Sequence, residues 1–478
     1  MKEVPDSSAD ITAKWCEMAL KKNGVIDDST MVSNIDVKRL VNEDTGALDG
    51  GGLMEAQIFR INLTYESEND NVRNPTSIIA KHMATGNNMC KGGLPLRLFL
   101  FFAFGRNIDE KLWRTDINFY RKAIPLLRGT YRFPEVYYTD MLDGGDRGFF
   151  NEVVLSTPHK IRTITLMQDM KGWNPHTVGI NRINVNETVA ILKNLATLHA
   201  IFWGDRNKEI RDGFSPAFCE KEVRGAKYSK WGSKQRQKFL SDANSARKRA
   251  YQMIKNWSEH DWFSLSQDGP VPPWLHLKSE ENEDIGSVSI LKDPNVLEML
   301  EVYFERFPSF SQNVSKKFLE IPSQTLLHGD CHNGNHMYLE KNGDVEVTAL
   351  DFQMVGPGVA VSDIIRLVIL SRRHNSFTED VELLKKYHEA LISFGVEDYD
   401  YDELEKHFIL GILEYLTRAL VDLSNLKPKK LVNMYKDMFG YEKWLGMKQV
   451  LDSGASCYPF LFLTSLYLKD KDNFMKED

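Results

Sequence analysis

Near Met170 the apolar pattern of this chain changes its period, and that change limits what the chain can fold into. Before it, apolar and polar residues alternate. AQIFRINLTYE (Ala56 to Glu66) and PTSIIAKHM (Pro75 to Met83) read as strands joined through the polar turn ESENDNVRN, and FPEVYYTDM, FFNEVVLS and TITLMQDM read as three more. A helical spacing from Leu112 to Ile124 intervenes and is expected to stop before Pro125, which has no N–H to continue it. After Met170 the apolar residues recur every three or four positions, over Glu187–Trp203, around Val296–Phe307, and over Glu379–Phe394 and Tyr401–Leu423. Such a chain is expected to be α+β and bilobal, with an antiparallel sheet and one main helix followed by a larger helical lobe. Ser7 and Ser8 precede a further helical pattern through Ile11, Trp15, Met18 and Ala19 that ends near Gly24. Residues 1–40 therefore read as a helical extension, 41–165 as the sheet lobe, 166–170 as a hinge and 171–478 as the helical lobe.

The 478 residues suit two packed lobes better than one core. With 42% apolar and 27% charged residues the chain has the balance of a soluble globular protein. A net charge of -7 offers no global attraction to nucleic acid or to an anionic membrane. The basic run Lys221–Arg249 reads as a solvated helix face, since only Tyr228, Trp231 and Phe239 interleave it. Cys16, Cys90, Cys219, Cys331 and Cys457 are too scattered for a disulfide framework or a zinc site, which fits the cytoplasm. LPLRLFLFFAF, from Leu94, is too short to span a bilayer and reads as a buried segment.

The chemistry concentrates between His328 and Asp351. His328-Gly329-Asp330-Cys331-His332-Asn333-Gly334-Asn335 follows one strand-like piece, and Asp351-Phe352-Gln353 follows a strand-turn-strand pivoting on Asn342-Gly343-Asp344. Phosphoryl transfer needs a carboxylate to accept a hydroxyl proton and oxygen ligands to hold magnesium against phosphates. Asp330 is the candidate base, and Asn335 and Asp351 offer hard oxygen donors. Leu48-Asp49-Gly50-Gly51-Gly52-Leu53 lies before a strand, where Gly50, Gly51 and Gly52 could bring backbone N–H groups close to phosphates or form an ordinary turn.

HGDxHxxN followed by DFQ resembles the signature of the aminoglycoside phosphotransferase and choline kinase superfamily. With LATLHAIFW (Leu195 to Trp203) and VSDIIRLVILS downstream, the chain resembles that superfamily's ecdysteroid kinase-like, or CHK kinase-like, group from about Val41 to Leu426. The resemblance implies a protein kinase-like fold, ATP and Mg2+ as cofactors, and a small-molecule hydroxyl as acceptor. It makes Asp330 the base, Asn335 and Asp351 the magnesium ligands, His328 a loop-shaping residue, and Asp363 a buried carboxylate steadying the loop through backbone N–H groups. Lys81 matches the lysine that contacts the α- and β-phosphates. Its partner would be Asp116 in Asp116-Ile117-Asn118-Phe119-Tyr120, where the family carries a glutamate. The shorter acid implies an ion pair that is longer, water-bridged or formed only on closure, with Glu110 as the fallback partner. Gln168 to Met170 fall at the hinge, whose backbone would meet adenine.

Other readings compete with this one. A hydrolytic metal site could use His328 or His332 with Asp330 and Asp351, although no further histidine stands at ligand spacing. His199 reads as a core histidine and Cys331 as a packing residue. A kinase fold kept only as a binding or scaffold module is the alternative from a different class, and retention of Asp330, Asn335, Asp351 and Lys81 weighs against it. Protein kinase activity is disfavoured because no APE-like anchor lies between Phe352 and Asp363.

Overall fold

The computed structural model describes residues 4–5, 7–40, 56–66, 74–84, 108–142, 162–176, 183–214, 294–296, 298–303, 317–318, 320–371, 377–425 and 468. Gly50 to Gly52, FFNEVVLS, LPLRLFLFFAF and the basic run lie outside them.

Helix α1 (Ala13–Lys22) begins at Thr12, whose hydroxyl accepts the Trp15 N–H at 3.2 Å, while Ser7 caps only a short 3-10 turn before it. Strands β1 (Met31–Arg39), β2 (Ala56–Glu66), β3 (Ser77–Ala84), β4 (Val136–Leu142) and β5 (Arg162–Gln168) form one antiparallel sheet in the order β1-β2-β3-β5-β4. Strand β1 lies within the segment read from sequence as a helical extension. Its alternation is weak, with Asn34 and Lys38 facing solvent, and pairing with β2 supplies what the local pattern does not.

Alternation along β3 sends successive side chains to opposite faces. Ile78 and Ala80 join Phe59, Ile61, Ile164 and Leu166 in a core covered by Trp15, Cys16, Ala19 and Leu20 of α1. Trp15 meets Tyr138 edge-on at 5.9 Å. His82 points the same way, its Nε2 3.1 Å from the Pro5 carbonyl. By parity Lys81 faces the opposite side, toward the helical lobe.

Helix α2 (Ile108–Asn118) does not end before Pro125. It widens into a π turn over Phe119–Ala123 and resumes over Ile124–Leu127, with Pro125 in the opening turn of that last piece, where a missing N–H costs least. The wide turn buries Phe119, Tyr120 and Ala123 together.

Beyond the hinge, the two-residue strand β6 (Asn174–Pro175) leads to α3 (Val185–Ile201), opened by a capping box between Asn184 and Glu187 (2.8 and 2.9 Å), and to the short α4 (Lys208–Asp212). Strand β7 (Gln324–Leu327) precedes the loop His328–Asn335, and β8 (His336–Lys341) and β9 (Asp344–Ala349) form a hairpin. Asn342 and Gly343, at φ 56° and 86°, have the left-handed geometry of a tight hairpin turn. Strand β10 (Gly356–Val359) pairs with β7, followed by α5 (Val361–Ser371), α6 (Phe377–Ser393) and α7 (Tyr401–Asn425). The larger core joins these helices to Phe119 and Tyr120 of α2. The architecture is the expected α+β one, an antiparallel sheet followed by a mainly helical lobe. Among the described residues no helix is long and apolar enough to cross a membrane.

Candidate active site

The two parts meet at Lys81. Its Nζ lies 2.6 Å from Asp351 Oδ1 and 3.2 Å from Asp116 Oδ2. Burial works against the ammonium, but the two carboxylates outweigh it and raise the Lys81 pKa above the usual lysine range. Asp116 is wholly buried, which pushes its carboxyl up against the pull of Lys81. The pair is therefore direct in this structure, without the extra length or intervening water expected of a shortened acid. Helix α2 is docked on the Asp351-Phe352 segment itself. Asp116 Oδ1 accepts the Phe352 N–H at 3.2 Å, and the Phe119 and Phe352 rings stack at 4.1 Å. This close docking compensates for the missing methylene.

Asp351 follows β9 in a left-handed conformation (φ 60°), uncommon for a residue with a side chain. The Gln353 amide donates to its Oδ2 at 2.9 Å. Phe352, on the opposite side of the chain, is enclosed by Phe119, Tyr120, Tyr131 and His328. Asp351 thus stays toward the cleft while its neighbour anchors in the core.

The loop His328–Asn335 is fastened from several sides. Asp363, on α5, accepts the His328 N–H at 2.6 Å and the Gly329 N–H at 2.9 Å. His199 Nε2 approaches the same carboxylate at 3.3 Å and its Nδ1 meets the Tyr387 hydroxyl at 2.7 Å, so it is a satisfied core histidine. Gly329 has φ 79°, and a Cβ there would collide with the Met354 carbonyl, so only glycine fits. His328 Nε2 donates to the Leu350 carbonyl at 2.9 Å and its Nδ1 accepts the Asp330 N–H at 3.4 Å. With both ring nitrogens engaged and burial lowering its pKa, His328 shapes the loop and is not available as a metal ligand. Among the described residues no group of three or more His, Cys, Asp or Glu could hold a metal.

Asn335 Nδ2 donates to the Asp330 carbonyl at 2.9 Å and to Asp330 Oδ2 at 3.2 Å. Two acceptors on that side fix the amide orientation and leave Asn335 Oδ1 directed elsewhere. The Asn335 carbonyl accepts the Leu350 N–H at 2.8 Å, which places the segment leading into Asp351 alongside it. One amide oxygen and one carboxylate, both hard donors, fit a magnesium ion that takes its remaining ligands from phosphates and water.

Asp330 itself is held between Arg366, whose Nε donates to Oδ1 at 2.8 Å, and His332, whose Nε2 lies 3.4 Å from Oδ2. Burial raises the Asp330 pKa, but Arg366 and His332 outweigh it and hold the carboxyl well below the usual range. Cys331 is buried with its thiol pKa pushed up by desolvation, as a packing residue should be.

After β5, where the sequence places a hinge, the Gln168 N–H donates to the Glu135 carbonyl at 2.8 Å and its side-chain oxygen accepts the Glu135 N–H at 3.3 Å, so Gln168 is tied to the approach to β4. Asp169, which sequence reasoning passed over, takes Arg60 at 2.8 and 3.2 Å and the Ser77 hydroxyl at 2.6 Å, tying the residues after β5 to β2 and β3. Arg366 was also passed over, and Gln353 was quoted only as part of the Asp351-Phe352-Gln353 motif, with no contact foreseen for it. The only signal for Arg366 is its place one turn after Asp363.

The model of the ecdysteroid kinase-like family matches residues 51–396. No curated protein matches the chain. Among solved structures, a microcompartment-associated aminopropanol kinase aligns over 96% of this chain and 98% of its own, at 13% identity and a TM-score of 0.39. A Plasmodium vivax ethanolamine kinase aligns over 97% and 92% at 13% identity and 0.38, and an ADP-bound aminoglycoside phosphotransferase over 92% and 97% at 12% and 0.34. Likeness this distant carries no chemical argument.

Proposed function

Because the chain belongs to the ecdysteroid kinase-like family, we propose that it is an ATP- and magnesium-dependent phosphotransferase acting on a hydroxyl of a small molecule. The observation that carries this reading is the convergence of Lys81, Asp116 and Asp351 from two lobes beside the loop that bears Asp330 and Asn335. In this reading ATP lies between the sheet lobe of residues 41–165 and the helical lobe of residues 171–478, with adenine against the hinge backbone near Met170 and the phosphates beneath Gly50 to Gly52.

Lys81 exchanges Asp351 for phosphate oxygens and keeps Asp116, which holds the ammonium in place. Asn335 Oδ1 and the released Asp351 carboxylate would hold magnesium. When bound, that ion neutralises charge on the phosphates. Asp330 orients the acceptor hydroxyl in line with the γ-phosphorus. As the new oxygen–phosphorus bond forms and the bond to ADP breaks, Asp330 takes the hydroxyl proton, which later passes to solvent. A carboxylate held anionic by Arg366 accepts that proton late, when the hydroxyl has become acidic.

Asp330→Asn tests this assignment. It should bind ATP with magnesium as the wild type does, read as thermal stabilisation, while turnover on any accepted hydroxyl compound is lost. Full turnover in the variant would remove Asp330 from the chemistry. Absence of stabilisation by ATP, with or without magnesium, would favour a kinase fold kept as a scaffold.

A further inference from the structure

Helix α5 grips the catalytic loop at three places. Asp363 holds the backbone of His328 and Gly329, Ser371 Oγ accepts the Asn333 N–H at 2.9 Å, and Arg366, one turn after Asp363, meets the side chain of Asp330. Nε and Nη2 of Arg366 both donate to the same oxygen, Oδ1. Among the described residues Oδ2 has longer partners, Asn335 Nδ2 at 3.2 Å and His332 Nε2 at 3.4 Å. We propose that Arg366 is a positioning residue for phosphoryl transfer, saturating one oxygen of Asp330 so that the other, Oδ2, is presented to the acceptor hydroxyl. This rests on the reading of Asp330 as the base.

The plain alternative is an ion pair that merely fastens α5 to the loop. The division of labour on α5 argues against it. Asp363 and Ser371 already hold the loop through three backbone N–H groups, whereas Arg366 donates to the side chain assigned as the base. The terminal torsion of an aspartate is broad, and a carboxylate gripped on one oxygen loses that freedom. A guanidinium suits this task because its planar N–H groups are fixed relative to one another, which a lysine ammonium cannot reproduce. The Arg366 side chain is 31% exposed, so a small solute can reach its position from solvent.

The test uses the full-length protein with ATP and magnesium, and water as the acceptor, so that no organic substrate need be known. Arg366→Gln should lower kcat for phosphate release by roughly 100-fold, the scale of a misplaced reacting group, while KM for ATP and thermal stabilisation by magnesium-ATP stay within about twofold. Arg366→Lys should recover only part of the loss. Millimolar guanidinium should raise the turnover of Arg366→Ala and leave Asp330→Asn unchanged, a rescue that a fastening role would not give. Wild-type kcat in Arg366→Gln, a loss confined to KM, or no guanidinium rescue each overturn the positioning role alone. No turnover in the wild type, or an unimpaired Asp330→Asn, overturns the reading of the site beneath it.

Discussion

Asp363→Asn perturbs the His328–Asn335 loop without removing an atom of side-chain volume. In the native protein one carboxylate accepts the His328 and Gly329 N–H groups at 2.6 and 2.9 Å and is 1% exposed. An amide keeps one carbonyl oxygen and turns an NH2 group toward the other backbone donor, so one buried N–H loses its acceptor. That costs about 1–3 kcal/mol, and loss of charge assistance on the surviving bond adds about 1 kcal/mol, giving roughly 2–4 kcal/mol in all. Hydrogen exchange followed by mass spectrometry on peptides covering His328 and Gly329 reads the effect locally. The amides there should exchange about 30- to 1,000-fold faster, with a matching fall in stability to urea. Unchanged exchange at these two amides would refute the role given to Asp363, whatever happened to activity.

Lys81→Met leaves Asp116 buried without its cation and should destabilise the protein by about 3–5 kcal/mol in denaturant unfolding, with Lys81→Met/Asp116→Asn recovering a good part. His336 is buried with its pKa pushed down to about 3 from an ordinary 6.5, its Nδ1 donating to the His332 carbonyl at 2.9 Å. The stability it contributes is present above pH 6.5 and is lost as pH falls toward 3, because the unfolded chain binds the proton first. His336→Asn, which keeps a donor at that position, should therefore flatten the fall in unfolding free energy between about pH 6 and 4 by up to ~1.4 kcal/mol per pH unit.

The change from sheet to helices was legible because it depends on period, and the proposed site segments His328–Asn335 and Asp351–Gln353 stood out by short-range chemistry. Asp330, Asn335 and Asp351 were proposed from their spacing, and Lys81 from the family resemblance and its position at the end of a strand after a glycine turn. That its side chain faces Asp116 and Asp351 came only from the structure. What escaped was decided by tertiary contact. Strand β1 has too little alternation to be seen without its partner β2. The π turn after Asn118 depends on packing Phe119 against Phe352, more than two hundred positions away, and it carries the helix past a proline that local rules take as a stop. The same docking lets an aspartate serve at position 116. Arg366 sits in an apolar helix where nothing local distinguishes it from a solvated arginine. Its meaning comes from the loop it faces.

The central claim is transfer of phosphate from ATP to an organic hydroxyl. Incubating the protein with γ-labelled ATP, magnesium and a panel of hydroxylated steroids, amino alcohols, sugars and glycosides tests it most directly. The account predicts label in an acid-stable phosphate monoester of at least one class, abolished by Asp330→Asn and by chelation of magnesium. Label that reaches no acceptor, from a protein that binds ATP equally with and without magnesium, would contradict it.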